Sequence, residues 1–493
     1  MSDSSRREEA QGERFGRARK PTAQEILGLR AKRLHPTPLD IDSYYCQALI
    51  HRAHVLMLAE QGILSKEESN KILKGIKEVE REAEDNEKLT SYMATEATLI
   101  AKVGEVGGRM HIGRSRNDLA QTQRRMYYRD RIEELIGVIF EFQRALLSMA
   151  EKNLETVMPG YTHWRQAQPV TLGHYFVAHA DAAIRSLERL EDVYKRTNLN
   201  TLGSAAVAGT GWPIDRKRTM ELLGFDGLLE NSYDCVAAHD YVIELASAIA
   251  IHMTNLSRLA EDLQIWSSDE FGIIDLDEAY AGTSSIMPQK KNPSSLEMVK
   301  GIASEAIGAL MMTISSVKGV SYTNLGDRMP LETVMIDSAV GSTRVMTGIV
   351  TTLTPMKEKM LNNAKGFSTM TELADALVRN HGLSFRQAHD IVAHMTSKAI
   401  SEGKTVEQIT INMVEEAALE GIGREIGISK EELMLAVDPT ENVRRRKVIG
   451  GPAPEEVLRM IDDRRARIDI KESEHQKRQA NLQHTYNRLR ITE

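Results

Sequence analysis

The fold is decided by the segment at residues 245–266, LASAIAIHMTNLSRLAEDLQIW. Its apolar positions recur in steps of four and three, which is the seam of a long packed helix. That seam consists of Leu245, Ile249, His252, Leu256, Leu259, Leu263 and Trp266, with His252 as its one polar interruption. Residues 228–271 contain neither glycine nor proline. They therefore predict a helix of about 40 residues and about 60 Å, which is longer than a compact domain is wide.

Such a helix must pack along other long helices, and the runs 119–156 and 294–317 have suitable sequences. We therefore predict an all-α fold with a long central helix bundle that continues across subunits. The absence of a sustained alternation of strands and helices argues against a Rossmann enzyme. We expect three mostly helical domains at residues 1–114, 115–364 and 365–493. Residues 1–22 are expected to form a partly disordered arm, and the charged stretch from about Ile470 an exposed helix.

Composition excludes several classes of protein. A formal net charge of −7 argues against a nucleic-acid-binding protein. Cys46 and Cys235 are far apart, fit no metal-ligand spacing and suggest no disulfide framework, so we expect a reducing cytoplasm. No signal peptide is apparent, and since no window reaches 18 apolar residues we expect no membrane span.

The densest group of reactive side chains is GTSSIMPQKKNP at residues 282–293. Pro288 and Pro293 interrupt any helix there, which predicts a loop between helical segments. The loop holds hydroxyls, two ammonium groups and a carboxamide. It is either an ordinary polar turn or a catalytic loop on a rigid scaffold.

Two further polar segments precede it. In residues 104–118 four glycines lie beside three arginines, without the Gly-Lys-Ser/Thr ending of a nucleotide-binding loop. We expect either an anion-binding loop that leads into a helix, or a turn capped by Asn117 or Asp118. Pro159-Gly160 marks a break, after which Thr162 and His163 are expected to begin a new helical run. His174 and His179 fall on different helix faces, so we expect no metal site.

These segments, in this order, resemble the aspartase/fumarase superfamily and, within it, the argininosuccinate lyase branch. The resemblance is carried by residues 113–118 (GRSRND), 160–163 (GYTH) and 284–293 (SSIMPQKKNP), and also covers residues 202–209, 213–216, 256–262 and 266–272. It implies a homotetramer in which each active site combines segments of three subunits. It also implies anti-elimination from a succinyl compound, with release of fumarate and without a metal or an organic cofactor.

The resemblance further implies residue roles. Ser285 is expected to remove the proton, Lys290 and Asn292 to hold a substrate carboxylate, and Ser115, Arg116 and Asn117 to bind the fumarate portion. Thr162 and His163 face the substrate, and Glu297 orients the histidine. Whether His163 donates a proton to the leaving amine or only orients the substrate stays open. Ser284, Met287 and Arg328 complete the predicted substrate-binding set.

The sequence departs from argininosuccinate lyases around the leaving amine. Where those lyases usually have Thr, Gln and Arg, this chain has Ile112, Leu119 and His239. Where they usually read Leu-Gln-Arg after Thr-His, this chain reads Trp164-Arg165-Gln166. In residues 322–330 a Tyr and a Gln are lost and Arg328 appears. A new cation suits an acidic leaving group better than a guanidinium, because like charges repel.

We therefore expect a carbon–nitrogen lyase for an aminopolycarboxylic acid such as ethylenediamine-N,N'-disuccinate (EDDS). The first alternative is argininosuccinate cleavage. The second is a non-catalytic structural homologue, against which the intact Ser285, Lys290, Asn292, His163 and Glu297 argue.

Overall fold

The computed structural model describes residues 41–86, 89, 91–323 and 332–491, and the side chains within these ranges except at 41–42 and 332–334. The predicted N-terminal arm at residues 1–22 and the predicted substrate contact Arg328 both lie outside the described residues.

The N-terminal part contains helices α1 (Ile41–Glu60), α2 (Lys66–Asp85) and α3 (Tyr92–Val103), followed by a 3₁₀ helix at Glu105–His111. Ser65 caps α2 in a capping box with Glu68, as the pattern Ser-Lys-Glu-Glu predicts. These elements enclose a small apolar core between α1, α2 and α3.

The middle of the chain consists of long helices joined by short strands. Its elements are α4 (Arg116–Lys152), β1 (Val157–Thr162), β2 (Arg165–Thr171), α5 (Leu172–Thr197), β3 (Leu199–Asn200), α6 (Arg216–Leu222), β4 (Gly227–Leu228), α7 (Ser232–Ala237), α8 (Asp240–Trp266), β5 (Ile274–Asp275), β6 (Gly282–Thr283), β7 (Lys291–Asn292), α9 (Ser294–Val317), α10 (Glu332–Thr352) and β8 (Thr354–Pro355). The strands form two-stranded ladders: β1–β2, β5–β8 and β6–β7 are antiparallel, and β3–β4 is parallel.

The helices α4, α5, α8, α9 and α10 pack side by side around the main apolar core. The predicted seam lies inside it: Leu245, Leu259 and Leu263 are fully buried. The buried ring of His252 bonds to the Thr343 hydroxyl (2.9 Å), and burial lowers its pKa to about 4, so the imidazole is neutral. The predicted all-α fold with a long central bundle is confirmed.

One expectation about the seam helix is wrong. The run 228–271 is broken at Ala238–His239, which separates α7 from the 27-residue α8. The break has a local cause, because the His239 ring bonds through Nδ1 to the Ala237 carbonyl (2.9 Å) and through Nε2 to Arg124 (3.1 Å). A side chain that bonds its own backbone competes with the helical ladder. The remaining helix still spans about 40 Å.

The C-terminal part begins with α11 (Lys357–Ala364). It continues through α12 (Met370–His381), α13 (Phe385–Ser401), α14 (Ile411–Ile422), α15 (Lys430–Val437), α16 (Pro439–Arg445) and α17 (Pro454–Ile491). Helices α12 to α15 enclose a second apolar core. Helix α17 instead packs on α4, where Leu482, Tyr486 and Leu489 are buried. Most residues beyond Ile470 are exposed, as expected, apart from the few that pack on α4. The three domain boundaries remain predictions.

Helix α9 carries an unusual apolar surface. Met298, Ile307, Met311, Met312 and Ile314 are exposed in the single chain. Among the described residues, α9 is the one helix whose length and composition would suit a membrane span, and 28% of that stretch is buried. Core helices of proteins that never enter a membrane have the same composition, so the feature that needs a partner is the exposed face itself.

Candidate active site

The predicted anion-binding loop forms the N-terminus of α4. Ser115 is the N-cap: its Oγ accepts a hydrogen bond from the Asn117 amide (3.2 Å), and its own amide donates to Asp118 Oδ1 (2.8 Å). The alternative cap at Asn117 or Asp118 is thus replaced by a capping box of Ser115 and Asp118. Arg116 is exposed, and Ser115 and Asn117 are half-buried. An N-terminus with exposed donors is suited to a carboxylate.

Asp118 fixes the shape of this loop. The fully buried carboxylate accepts four backbone hydrogen bonds, from Ser115 (2.8 Å) and Leu119 (3.0 Å) on Oδ1, and from Gly203 (2.9 Å) and Ala205 (3.0 Å) on Oδ2. Burial raises its pKa to about 6 in spite of these donors. One side chain therefore ties the anion loop to a second loop that begins near Leu202.

The segment with Thr162 and His163 is a β-hairpin rather than the start of a helix. Strands β1 and β2 pair Thr162 with Arg165, so His163 and Trp164 form a two-residue turn. Both turn residues have left-handed backbones, with φ of 49° and 60°, as a turn of this type requires. The error arose because short strands rich in Pro, Gly and Gln lack the alternation by which strands are recognised.

A cavity of about 360 Å³ lies under this hairpin, where His163 meets the end of α8. Its floor contains Asp262 and Trp266, and the Tyr175 hydroxyl donates to Asp262 Oδ2 (2.7 Å). The hairpin that carries His163 is thereby placed at the Trp266 end of α8.

The loop at residues 284–290 closes the β6–β7 ladder, in which Gly282 pairs with Asn292 and Thr283 with Lys291. The Ser284 hydroxyl accepts from the amide of Met287 (3.0 Å), and the Lys290 amide donates to the Met287 carbonyl (3.1 Å). Ser284 therefore shapes the turn, while Ser285 and the Lys290 side chain are exposed. Gly282 is required by a close approach, since a Cβ there would lie 2.7 Å from Ser294 Oγ.

The base of this loop is attached near the same end of α8. Lys291 Nζ pairs with Asp275 (2.8 Å), and Gln264 of α8 donates to Glu297 Oε1 in a long hydrogen bond of 3.4 Å. Within the described part of this chain, Glu297 forms no hydrogen bond or ion pair with His163, and its recorded partner is Gln264. Its predicted orienting role remains a prediction that requires a neighbouring subunit.

The anion loop lies at the opposite end of α8. Arg124 of α4 bonds to His239, at the start of α8, and Gln121 donates to the Val236 carbonyl (3.0 Å). The 27 residues of α8 place this end about 40 Å from the end that holds His163 and Glu297. One chain therefore separates the predicted fumarate-binding residues from the predicted catalytic ones.

Sequence reasoning missed the role of Asp118. The signal was present in the spacing of Ser115 and Asp118, which is that of a capping box. The hydrogen bonds that Gly203 and Ala205 donate to Asp118 have no sequence signal, because they join residues more than 80 positions apart. Within the described residues no group of three or more His, Cys, Asp or Glu side chains is placed to hold a metal ion.

Sequence comparison identifies relatives over most of the chain. A family described as Lyase matches residues 42–308, and the argininosuccinate lyase C-terminal family matches residues 367–444. The chain is 43% identical to argininosuccinate lyase of Methanosarcina barkeri over 435 residues, which cover 86% of this chain and 87% of that protein. It is 41% identical to argininosuccinate lyase of Methanosarcina mazei, over 94% of each.

Solved structures give the same family. EDDS lyase in complex with formate superposes with a TM-score of 0.88 at 41% identity, covering 99% of this chain and 97% of that one. An EDDS lyase variant with bound fumarate superposes equally well. Class II fumarase from Schistosoma mansoni, at 19% identity and a TM-score of 0.67, shares the fold. The chain accordingly belongs to the argininosuccinate lyase branch of the aspartase/fumarase superfamily and is a fumarate-releasing carbon–nitrogen lyase.

Proposed function

We propose that this enzyme cleaves an N-substituted aspartate whose amine portion carries further carboxylates, with EDDS as the representative substrate. The observation that carries the proposal is the position of Arg165. Its strand position is directly opposite Thr162, beside the turn that holds His163, and its side chain is exposed. Arg165 also lines a cavity of about 650 Å³ together with Tyr161 and Trp164. A cation at this place attracts a carboxylate and repels the guanidinium of argininosuccinate.

Argininosuccinate remains the second candidate, favoured by identities of 41–44% to proteins of that name. Identity alone does not decide, because EDDS lyase is 41% identical over 99% of the chain. The choice therefore depends on the few side chains around the leaving amine.

A substrate assay tests the proposal. Purified enzyme is given EDDS or argininosuccinate, and fumarate release is followed by its absorbance. We expect a higher kcat/KM for EDDS, and we expect Arg165→Gln to reduce it about tenfold or more while Arg185→Gln, on the surface of α5, leaves it unchanged. Faster release from argininosuccinate alone would refute the choice of substrate and leave the lyase chemistry intact.

The chemistry assigns a role to each polar segment. Removal of the proton beside a carboxylate creates a doubly charged aci-carboxylate, so donors and cations must be aimed at the place where negative charge grows. Ser285 takes the proton, although a serine is a weak base unless its oxyanion is stabilised. Along the chain, the groups nearest to Ser285 that could stabilise its oxyanion are Lys290 and the backbone N–H groups of the loop at residues 284–290. Lys290 and Asn292 also hold the substrate carboxylate.

The remaining groups bind and orient the substrate. Ser115, Arg116 and Asn117 bind the fumarate portion at the N-terminus of α4, where donors and the helix dipole favour an anion. Thr162 and His163 contact the substrate from the hairpin, with Glu297 as the partner of the imidazole. Elimination then breaks the carbon–nitrogen bond and leaves fumarate and the free amine.

We assign this chemistry to a homotetramer in which three subunits complete each site. Two observations support it: the separation of about 40 Å between the anion loop and His163 along α8, and the exposed apolar face of α9. Packing of α9 faces from several copies would cover this surface and bring opposite ends of α8 together. Size-exclusion chromatography with light scattering tests the assembly. Met311→Glu should dissociate it and abolish activity, and a fully active monomer would contradict the proposal.

A further inference from the structure

Arg114 is a buried cation that directly precedes Ser115 in the chain. Its residue is 6% exposed, and none of its three guanidinium nitrogens reaches a described residue with the geometry of a hydrogen bond, although the Tyr92 hydroxyl is close enough to attract it. Most buried polar groups in proteins are paired, so a buried charge without such bonds requires an explanation.

The acids near Arg114 are committed elsewhere. Glu96 accepts the hydrogen bond of the Tyr92 hydroxyl (3.0 Å), and Asp118 accepts four backbone N–H groups. Both carboxylates attract the guanidinium through space, and neither forms an ion pair with it among the described residues. The charge of Arg114 is therefore only partly compensated.

The other groups around Arg114 are the Tyr92 hydroxyl, which attracts the guanidinium, and neutral histidines. Both ring nitrogens of the buried His51 lack a hydrogen-bond partner in the described chain, and His54 bonds through Nε2 to the Ile112 carbonyl (2.8 Å). Burial, assisted by the charge of Arg114, lowers the pKa of His54 to about 3 and that of His111 to about 4. Arg114 is thus the permanent cation of this cluster.

Its charge acts on the loop through the buried Asp118 carboxylate, which it attracts. Arg114 directly precedes Ser115, and both Arg114 and the exposed Arg116 act electrostatically on Tyr92 and His111. Two guanidinium groups that share neighbours repel each other, and an anion bound between them and the helix N-terminus relieves that repulsion. A charge in a poorly polarisable interior acts over a longer range than one in water.

We infer that Arg114 is a positioning residue whose buried, unpaired charge strengthens carboxylate binding by the Ser115–Asn117 loop without touching the substrate. The inference rests on the proposed assignment of that loop to the fumarate portion. It predicts an unusual pair of effects on removing the charge: weaker binding together with an equally stable or more stable fold.

The test uses Arg114→Met, which replaces the arginine by an unbranched apolar side chain that is somewhat shorter and carries no charge. Fumarate binding is measured by calorimetry, and melting temperature by differential scanning fluorimetry. We expect the Kd for fumarate to rise at least tenfold and kcat to change less than threefold, with a melting temperature equal to or above wild type, because apolar replacement of a buried charge is often neutral or stabilising. Arg114→Lys should recover most of the affinity. Arg109→Met, on the half-exposed arginine of the preceding 3₁₀ helix, is the matched control and should leave the Kd unchanged.

Unchanged fumarate affinity in Arg114→Met would overturn the inference, as would a loss of affinity that accompanies a lower melting temperature. If Arg114→Met does not fold, Arg114→Gln replaces it in the same comparison, with the same two outcomes. A wild-type enzyme that binds fumarate but does not cleave EDDS would refute the proposed substrate, and it would leave this comparison valid.

Discussion

The anion loop at residues 113–118 and the signature loop at residues 284–290 are held in opposite ways. The first is fixed by four hydrogen bonds to the buried Asp118 and contains the buried Arg114. The second is exposed and is tied down mainly at its base, by the β6–β7 ladder and the Lys291–Asp275 ion pair. One chain therefore completes the surroundings of the first loop and leaves the second exposed, to be covered in the tetramer that we propose.

The difference matches the two tasks that we assign to these loops. Binding a carboxylate requires donors that are already in place, since ordering them on binding would cost affinity. The base must approach a carbon after the substrate has entered, and a loop attached only at its ends can close over it. The following changes test this contrast, from the largest expected effect to the smallest.

Ser285→Ala should have the largest effect. We expect kcat to fall by about 10²–10⁴-fold, the usual contribution of general-base catalysis, while the Kd for fumarate stays within about threefold. The melting temperature should not change, because Ser285 is exposed. Activity is measured by fumarate release, with Ser401→Ala on α13 as the control. Near-normal turnover in Ser285→Ala would remove the assignment of the base.

Lys290→Ala should lower kcat/KM by about a hundredfold or more, equivalent to roughly 3–4 kcal/mol for a lost charge-stabilising donor. Its neighbour provides a matched control within the same loop. Lys291 is engaged with Asp275, and a partly exposed ion pair contributes about 0–1 kcal/mol, so Lys291→Ala should change kcat/KM by less than about fivefold. Equal losses in the two variants would show that the loop needs positive charge in general rather than the Lys290 ammonium.

Asp118→Asn tests the rigid loop. The amide replaces one acceptor oxygen by a donor that faces backbone N–H groups, so we expect the KM to rise about tenfold with a smaller change in kcat. Steady-state kinetics with EDDS measures both constants. A variant with wild-type KM would show that the hydrogen bonds to Asp118 do not shape the binding loop.

The same carboxylate predicts a pH dependence. Since burial raises the pKa of Asp118 to about 6, protonation below that pH should weaken its four acceptor bonds and raise the wild-type KM. Stability moves in the opposite direction: a pKa above the ordinary 3.8 means that the folded protein binds the proton more tightly, so this group favours folding increasingly as pH falls from about 6 towards 3.8. A KM that rises in acid while the protein remains folded is the expected result, and a flat KM profile between pH 5 and pH 7 would contradict it.

Ala205→Gly should have the smallest effect. Ala205 donates to Asp118 from a left-handed backbone with φ of 54°. Glycine removes the strain of that conformation and adds chain entropy to the unfolded state, so the two changes offset to within about 1 kcal/mol. Denaturant unfolding should detect little change, and kinetic constants should match wild type. A large loss of activity would mean that the methyl group of Ala205, rather than its amide, contributes to the site.

The bundle could be predicted because its signal is repeated along the chain. Leu245, Leu256 and Leu263 recur at helical spacing, and the same periodicity extends over several turns. The hairpin could not be predicted in this way, since Thr162 and Arg165 pair across only two residues and the strands show no alternation. The break at His239 depends on one side chain that bonds its own backbone, for which periodicity gives no warning.

In the candidate site, too, some features could be predicted from the sequence and others could not. The residues of the three polar segments were identified from their chemistry and from family resemblance, because loops with glycine, proline and clustered polar side chains are recognisable locally. The hydrogen bonds by which Asp118 joins the anion loop to the second loop come from Gly203 and Ala205, more than 80 residues further along the chain. The unpaired state of Arg114 depends on what α1 and α3 place around it.

By itself, the sequence determined that this protein is a bundle of long helices, because helical periodicity is a local property of the chain. Its resemblance to a known family added the assignment of three polar loops to a fumarate-releasing lyase. Only the tertiary structure decided which loop is rigid and which is exposed, and that Arg114 is buried without an ion-paired acid among the described residues. Burial and long-range hydrogen bonds arise when distant segments pack together, so no local pattern specifies them.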